Sequence, residues 1–508
     1  MTRLVVVGHG MVGSRFVEDL LDRDVAQRYR ITVLGAEDCE PYNRVLLSEV
    51  LAGSHSLGSI FLPTPDDPRL LVHQGMTARA IDRQDRVVVA DDGSRHRYDQ
   101  LVLATGASAR IPGLPGLGPE GGDLPRGVHA LRTVDDARAL LAATLNSPRA
   151  VVLGAGVLGL EAAAALVGRG IDVTVVHPAP ALMERQLDGT ASTVVTRAMD
   201  DLGMHHRVGV GAAAVLTRDG AVIGVRLTDG SVIEAGLLLL STGTVANTSL
   251  AAAAALPVDR GIVVGHDLAC VTDPRIFAIG DCAQPPSGAT GLVAQGWDQA
   301  RQLATALTAA ALRLPPPRRD SAEPMTDVVR LKARGLDVVT MGVCGSARDK
   351  DPTHRTLRLS DPDAGRHVEV VVAGGVLVGA TCIGAGQVAA DLVSAYTRRI
   401  PVPDDPAYVL LPALAAGAAL HGSDPLNLPP EATVCRCNGV SRGVIDDAVA
   451  AGATSVDAVA AATRATTGCG SCRDDVCALL ASRATDEVRE PLVTAGKHTI
   501  HDHETAGS

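Results

Sequence analysis

The sequence predicts an α/β chain: two doubly wound sheets, then a small α+β domain and a small helical domain. Three observations carry this expectation. Residues 4–20 (LVVVGHGMVGSRFVEDL) and 150–166 (AVVLGAGVLGLEAAAAL) repeat one pattern, an apolar run, a G-x-G-x-x-G turn and a helix-like segment. Residues 325–400 alternate short β-like runs such as DVVTMGVCG and HVEVVVAGGVLVGATCIG. Near the C-terminus, the cysteine-bearing runs TVCRCNGV (433–440) and TTGCGSCRDDVC (466–477) flank a helix-like segment, 441–463.

Length and charge set the outer bounds. At 508 residues the chain exceeds a single core, and roughly three or four domains are expected. A net charge of -11 gives no support to a nucleic-acid partner. The apolar run Leu4–Val7 follows Met1 too closely for a secretory leader, and the most apolar stretches, such as Val409–Leu420, fall short of the roughly 18 residues of a spanning helix. No membrane association and a cytoplasmic location are therefore expected. The ten cysteines should be reduced there, so a tight cysteine cluster reads as a metal or cluster site.

In the first glycine unit, Gly8 permits a tight turn, Gly10 lets the backbone approach a pyrophosphate, and Gly13 lets the helix pack on the strand. The anion would rest on the helix N-terminus, where free N–H groups and the dipole favour it. ITVLGAEDCE (31–40) supplies the next strand, and Glu37, 24 residues past Gly13, is the expected ribose ligand. In the second unit Gly154, Gly156 and Gly159 recur, but the following strand IDVTVVH ends in His177 where an acid is often found. A carboxylate there would accept from the ribose of NADH and repel a 2′-phosphate, so His177 leaves NADH and NADPH both open.

LVLATGA (101–107) and LLLLSTGT (238–245) each place T-G after an apolar strand, and VTDPRIFAIGDCA (271–283) ends a β-like run in Gly280-Asp281. With the glycine loops, these motifs resemble the two-dinucleotide-binding flavoprotein reductases over roughly residues 1–310. The resemblance implies an FAD domain (1–114 and 246–311) interrupted by an NAD(P)-binding domain (115–245). It implies that Asp281 meets the ribityl chain of FAD and that the turns at Thr105-Gly106 and Gly243 close the sheets near each cofactor. EPYNRVLLSEVLAG (40–53) resembles the flavin-proximal segment of that family, with Arg44 and Ser48 as contacts; many relatives read L-S-K where this chain has Leu47-Ser48-Glu49. The family's proteins supply positioning and electrostatics, so no catalytic acid or base is expected. A disulfide reductase needs a reactive, usually paired Cys by the flavin, whereas Cys39 stands alone.

Cys435 and Cys437 form C-x-C, and Cys469 and Cys472 form C-x2-C. Four thiolates in two close pairs suit either zinc or an iron-sulfur cluster. The spacing and the helical segment between them resemble the bacterioferritin-associated-ferredoxin module, which implies a [2Fe-2S] cluster in a domain spanning 430–483. Cys477 would be a spare thiol, and Cys270, Cys282, Cys344 and Cys382 core residues. Residues 312–324 and about 401–432 read as linkers, 325–400 as the small α+β domain, and 484–508 as a disordered tail.

The whole order resembles the N-terminal half of NADH-dependent assimilatory nitrite reductase large subunits, and equally the electron-transfer subunit of assimilatory nitrate reductase. It implies electron flow from NAD(P)H through FAD and [2Fe-2S] to a separate nitrate or nitrite reductase. The chain stops before the four-Cys, sirohaem-linked region of such nitrite reductases, and is expected not to reduce nitrite alone. The alternatives are a rubredoxin or ferredoxin reductase of another pathway, with a small electron carrier as partner, or a redox sensor.

Overall fold

The computed structural model describes residues 1–118, 122–314, 327–345, 351–411, 425–435, 438, 440–467 and 472–486. Within it the chain divides into two units, Met1–Gly422 and Ser423–Ser508. Three large sheets organise the first unit, with smaller two- and three-stranded sheets beside them. Thr2–Val7, Tyr29–Leu34, Leu70–His73, Gln100–Leu103, Asp273–Ala278 and Ala269–Cys270 build the first. Its order runs from Ala269–Cys270 through Asp273–Ala278, Gln100–Leu103, Thr2–Val7 and Tyr29–Leu34 to Leu70–His73, parallel except at the Ala269–Cys270 edge. Leu4, Val5, Val6 and Val7 are all at most 5% exposed. Such a continuous apolar strand is what a parallel sheet covered on both faces requires.

The second sheet takes all five strands from between those pieces: His205–Val208, Asp172–His177, Arg149–Leu153, Leu237–Leu240 and Val128–Ala130, in that order and all parallel. The inserted arrangement follows directly, because the first sheet is completed by strands on either side of the second. Helix Met11–Arg23 turns Phe16, Val17 and Leu20 onto the first sheet, and helix Val293–Ala311 packs beside it. Helix Val157–Val167 does the same for the second sheet and is apolar nearly all round, because it is buried between the two halves.

The third sheet is antiparallel, in the order Val329–Ala333, Leu336–Gly342, Val376–Ile383, Arg366–Ala373, Arg355–Asp361. Helix Gly386–Thr397 covers it with Val388, Leu392 and Tyr396. This is the small α+β domain that the alternating runs predict.

The second unit is a short hairpin, Thr433–Cys435 against Val440–Ser441, followed by helices Arg442–Ala450, Val456–Thr463 and Arg473–Asp486. Its small core gathers Val434, Ile445, Val459, Val476 and Leu479. The last helix continues to Asp486 through helix-forming Ala and Arg, so the first three residues of the expected disordered tail are helical. Residues 487–508 lie outside the described residues.

Candidate cofactor sites

The two glycine loops have the same geometry. Gly8 has φ +111° and Gly154 φ +112°, a region open to glycine and strained for other residues. A Cβ on Gly8 would lie 2.2 Å from the Ala104 carbonyl oxygen, and one on Gly154 would lie 2.1 Å from that of Ser241. Gly13 and Gly159 press on the carbonyls of Gly8 and Gly154, at 2.1 and 2.0 Å from an added Cβ. Gly10 and Gly156 are the N-caps of the following helices, and neither helix has a side-chain cap. Their first N–H groups are thus left to a ligand, as a pyrophosphate site demands.

A cavity of about 640 Å³ opens at the first loop, within the usual range for a small-molecule or cofactor site. It brings together Gly8, Gly10, Glu37, Arg44, Thr105, Gly106, Gly280 and Asp281, all expected from sequence. Glu37 accepts from the Tyr42 hydroxyl at 2.6 Å and from Arg44 Nη2 at 2.9 Å. The Arg44 guanidinium also lies 5.2 Å from the centre of the Tyr42 ring, so the three side chains brace one another. Burial, with the Glu37 carboxylate adding to it, pushes the Tyr42 phenol up despite the opposing Arg44 charge, so Tyr42 acts as a donor.

The T-G turns are stitched to the returning chain. Thr105 Oγ1 donates to the Asn247 carbonyl at 2.7 Å, and Asn247 Nδ2 donates to that of Thr105 at 2.8 Å. Gly243, at φ +98°, accepts from the Arg110 backbone at 2.9 Å. Gly280, at φ +76°, donates to Gln299 Oε1 at 2.7 Å, which sets the turn that presents Asp281.

Ser48 departs from expectation. It is 2% exposed, does not line the cavity, and donates to Glu161 Oε2 at 2.7 Å. Its hydroxyl is spent on a buried carboxylate of the second glycine unit's helix, which also accepts from the Lys332 backbone at 2.7 Å. The L-S-E segment therefore joins helix Leu47–Ala52 to helix Val157–Val167 and the third sheet.

Arg132 is a charged cavity residue that escaped the sequence reading. Arg132 follows strand Val128–Ala130 of the second sheet and reaches the Asp281 carboxylate at 2.6 Å. No spacing pattern links positions so far apart in the chain. Cys39 also lines the cavity, and burial, then Glu37 and Asp135, push its thiol up.

In the second sheet His177 is 8% exposed and bonds to the glycine loop, its Nδ1 accepting from the Ala155 backbone at 3.3 Å. In the second unit Cys435 and Cys472 belong to one small core and are 0% and 3% exposed. Cys437 and Cys469 lie outside the described residues. Two buried thiols held together by a hairpin and a helix start suit soft-ligand metal binding, and the glycine cradles suit nucleotide pyrophosphates.

Comparison with known proteins agrees. The family model described as pyridine nucleotide-disulphide oxidoreductase matches residues 2–310, and the BFD-like [2Fe-2S] binding domain matches residues 433–482. The chain is 33% identical over 478 residues to Nitrite reductase [NAD(P)H] of Bacillus subtilis (strain 168), covering 93% of this chain and 56% of that protein. It is 30% identical over 503 residues to the assimilatory nitrate reductase electron transfer subunit of the same organism, covering 97% and 61%. The chain thus spans little more than half the length of either relative. The crystal structure of the ferredoxin reductase for the CYP199A2 system from Rhodopseudomonas palustris superposes with a TM-score of 0.66 at 26% identity, covering 75% of this chain and 91% of that one. Among the described residues no helix is long and apolar enough to cross a membrane.

Proposed function

Since this chain belongs to the pyridine nucleotide-disulphide oxidoreductase family and is an NAD(P)H-dependent flavin oxidoreductase, we propose that it passes electrons from NAD(P)H through FAD and a [2Fe-2S] cluster to a separate nitrate or nitrite reductase in nitrogen assimilation. FAD, when bound, accepts two electrons together and releases them singly, which lets a nicotinamide donor feed a one-electron cluster.

The protein's part is to hold and orient. The first loop and the Glu37–Arg44–Tyr42 set fix the adenosine half of the flavin nucleotide, Asp281 and Arg132 meet its ribityl region, and the Gly154 loop holds the nicotinamide nucleotide. Cys435, Cys437, Cys469 and Cys472 hold the cluster. In this reading the protein works in the cytoplasm, where its thiols stay reduced.

The observation that carries the reading is the single order of parts: two glycine-loop sheets, an antiparallel domain and a cysteine-ligand domain, aligned with nitrite and nitrate reductase components over at least 93% of the chain. The similarity to a ferredoxin reductase favours a second reading, a small soluble electron carrier as acceptor, but it covers only 75% of the chain.

The test is anaerobic reconstitution. Protein, NADH or NADPH, and a purified nitrate reductase or sirohaem nitrite reductase should together reduce nitrate or nitrite, with rates that fall when this protein is omitted. Faster delivery to rubredoxin or ferredoxin than to either enzyme would move the assignment to the second reading.

A further inference from the structure

Resting on the nucleotide-binding reading of the second glycine unit, we propose that Glu184, held in place by His177, recognises the adenosine ribose and makes the protein selective for NADH over NADPH. The strand after the second glycine loop ends in His177, which has no carboxylate to offer a ribose. In the first unit that duty falls to Glu37, three residues beyond the strand end at Leu34. In the second, the acid is displaced further along the chain and brought back by the fold.

The contacts define the orientation. The Ala155 N–H, inside the glycine loop, donates to His177 Nδ1 at 3.3 Å. Nδ1 is therefore the accepting nitrogen, and the ring proton sits on Nε2, which lies 2.9 Å from Glu184 Oε2. A continuous chain of bonds thus runs from the pyrophosphate loop through the imidazole to the carboxylate.

The backbone repeats the tie. The Met183 N–H donates to the Ala155 carbonyl at 3.0 Å, and Met183 takes φ +47°, a left-handed turn that redirects the chain at Glu184. Leu182 and Met183 are 0% and 1% exposed and anchor the segment, and the Leu182 N–H donates to Ser192 Oγ at 2.8 Å. Glu184 keeps its side chain 44% exposed while its Oε2 is bound by His177.

A carboxylate so placed accepts from the ribose hydroxyls of NADH and repels the 2′-phosphate of NADPH. Arg185 is the other charged residue of segment 178–187 and is exposed, but the contacts of His177 select the acid for the position next to the loop.

Calorimetric titration of the FAD-loaded protein with NAD+ and with NADP+ reads the preference without turnover. The wild type should bind NAD+ at least about tenfold more tightly, and Glu184→Gln should bring the two affinities within about threefold by losing NAD+ affinity and gaining NADP+ affinity. Unchanged flavin content and unchanged bleaching by dithionite in the variant would show that the fold is intact. Equal binding of both nucleotides by the wild type, or an unaltered ratio in Glu184→Gln, would overturn the assignment while leaving the flavin reductase reading in place. Tighter binding of NADP+ would overturn it in favour of Arg185, and binding of neither nucleotide would overturn the nucleotide reading of the loop as well.

Discussion

The Arg132 guanidinium lies 2.6 Å from the Asp281 carboxylate, joining the end of a strand in the inserted sheet to the turn after a strand of the outer sheet. Arg132 Nε also donates to the Ala107 carbonyl at 2.9 Å, so one side chain ties both halves at the cavity. The pair is partly exposed, at 22% and 27%, and on its own contributes about 0.5–1 kcal/mol to stability. Arg132→Ala should therefore leave the melting temperature within a few degrees but weaken FAD retention about tenfold or more, as read by flavin release on dilution. Undiminished retention would mean that Arg132 only clamps the two halves.

Glu161 concentrates charge where helix Leu47–Ala52, helix Val157–Val167 and the third sheet meet. It accepts from Ser48 Oγ and the Lys332 N–H, both at 2.7 Å, beside the Lys332 ammonium, which is buried and makes no hydrogen bond among the described residues. Burial raises the Glu161 carboxyl above its ordinary value against the pull of Lys332. Glu161→Ala would strand the ammonium and two donors, and should cost about 3–5 kcal/mol by urea denaturation. Glu161→Gln, which keeps an acceptor, should cost clearly less. Equal losses for the two would show that the cluster matters only as volume.

What could be read in advance, and what could not, divides along sequence separation. Gly8, Gly154 and Glu37 are visible because a pyrophosphate turn imposes local spacing, and the two loops agree in φ to a degree. Arg132 is invisible because its partner Asp281, in the turn after a strand of the other sheet, is 149 residues away in the chain. Ser48 was misplaced because a short motif says which helix it sits on, but not that Glu161, distant in sequence, awaits its hydroxyl. Glu184 hides behind His177, since strand-end logic looks for the acid at the strand end. Cys435 and Cys472 share one small core, while Cys437 and Cys469, which the C-x-C and C-x2-C motifs pair with them, lie outside the described residues.

Gly154→Ala separates the two nucleotide sites. The added Cβ would sit 2.1 Å from the Ser241 carbonyl oxygen at φ +112°, so the second loop must distort. FAD content should persist and dithionite should still bleach the flavin, while reduction by NADH falls at least about a hundredfold in stopped-flow traces. Normal reduction by NADH in this variant would remove the second loop from the donor site.

The imidazole of His129, in strand Val128–Ala130, is held below its ordinary value by burial, with Asp136 pulling weakly the other way. A depressed histidine contributes stability that is present above its unfolded value of about 6.5 and lost as pH falls toward the folded value, because the unfolded chain takes up a proton that the fold refuses. The melting temperature of the wild type relative to His129→Gln should therefore fall as pH is lowered below about 6.5 and level off beneath the folded value. A difference independent of pH would contradict the burial of this ring.

In the proposed function electrons run from a nicotinamide through a flavin to an iron-sulfur cluster. The most direct measurement is an anaerobic optical titration of the purified protein with NADH, combined with flavin, iron and sulfide analysis. One FAD and about two irons per chain, with flavin and cluster bands bleaching together and cluster bands lost in Cys435→Ser and Cys472→Ser, is the predicted result. Zinc in place of iron, or a flavin that bleaches while any cluster stays oxidised, would contradict it.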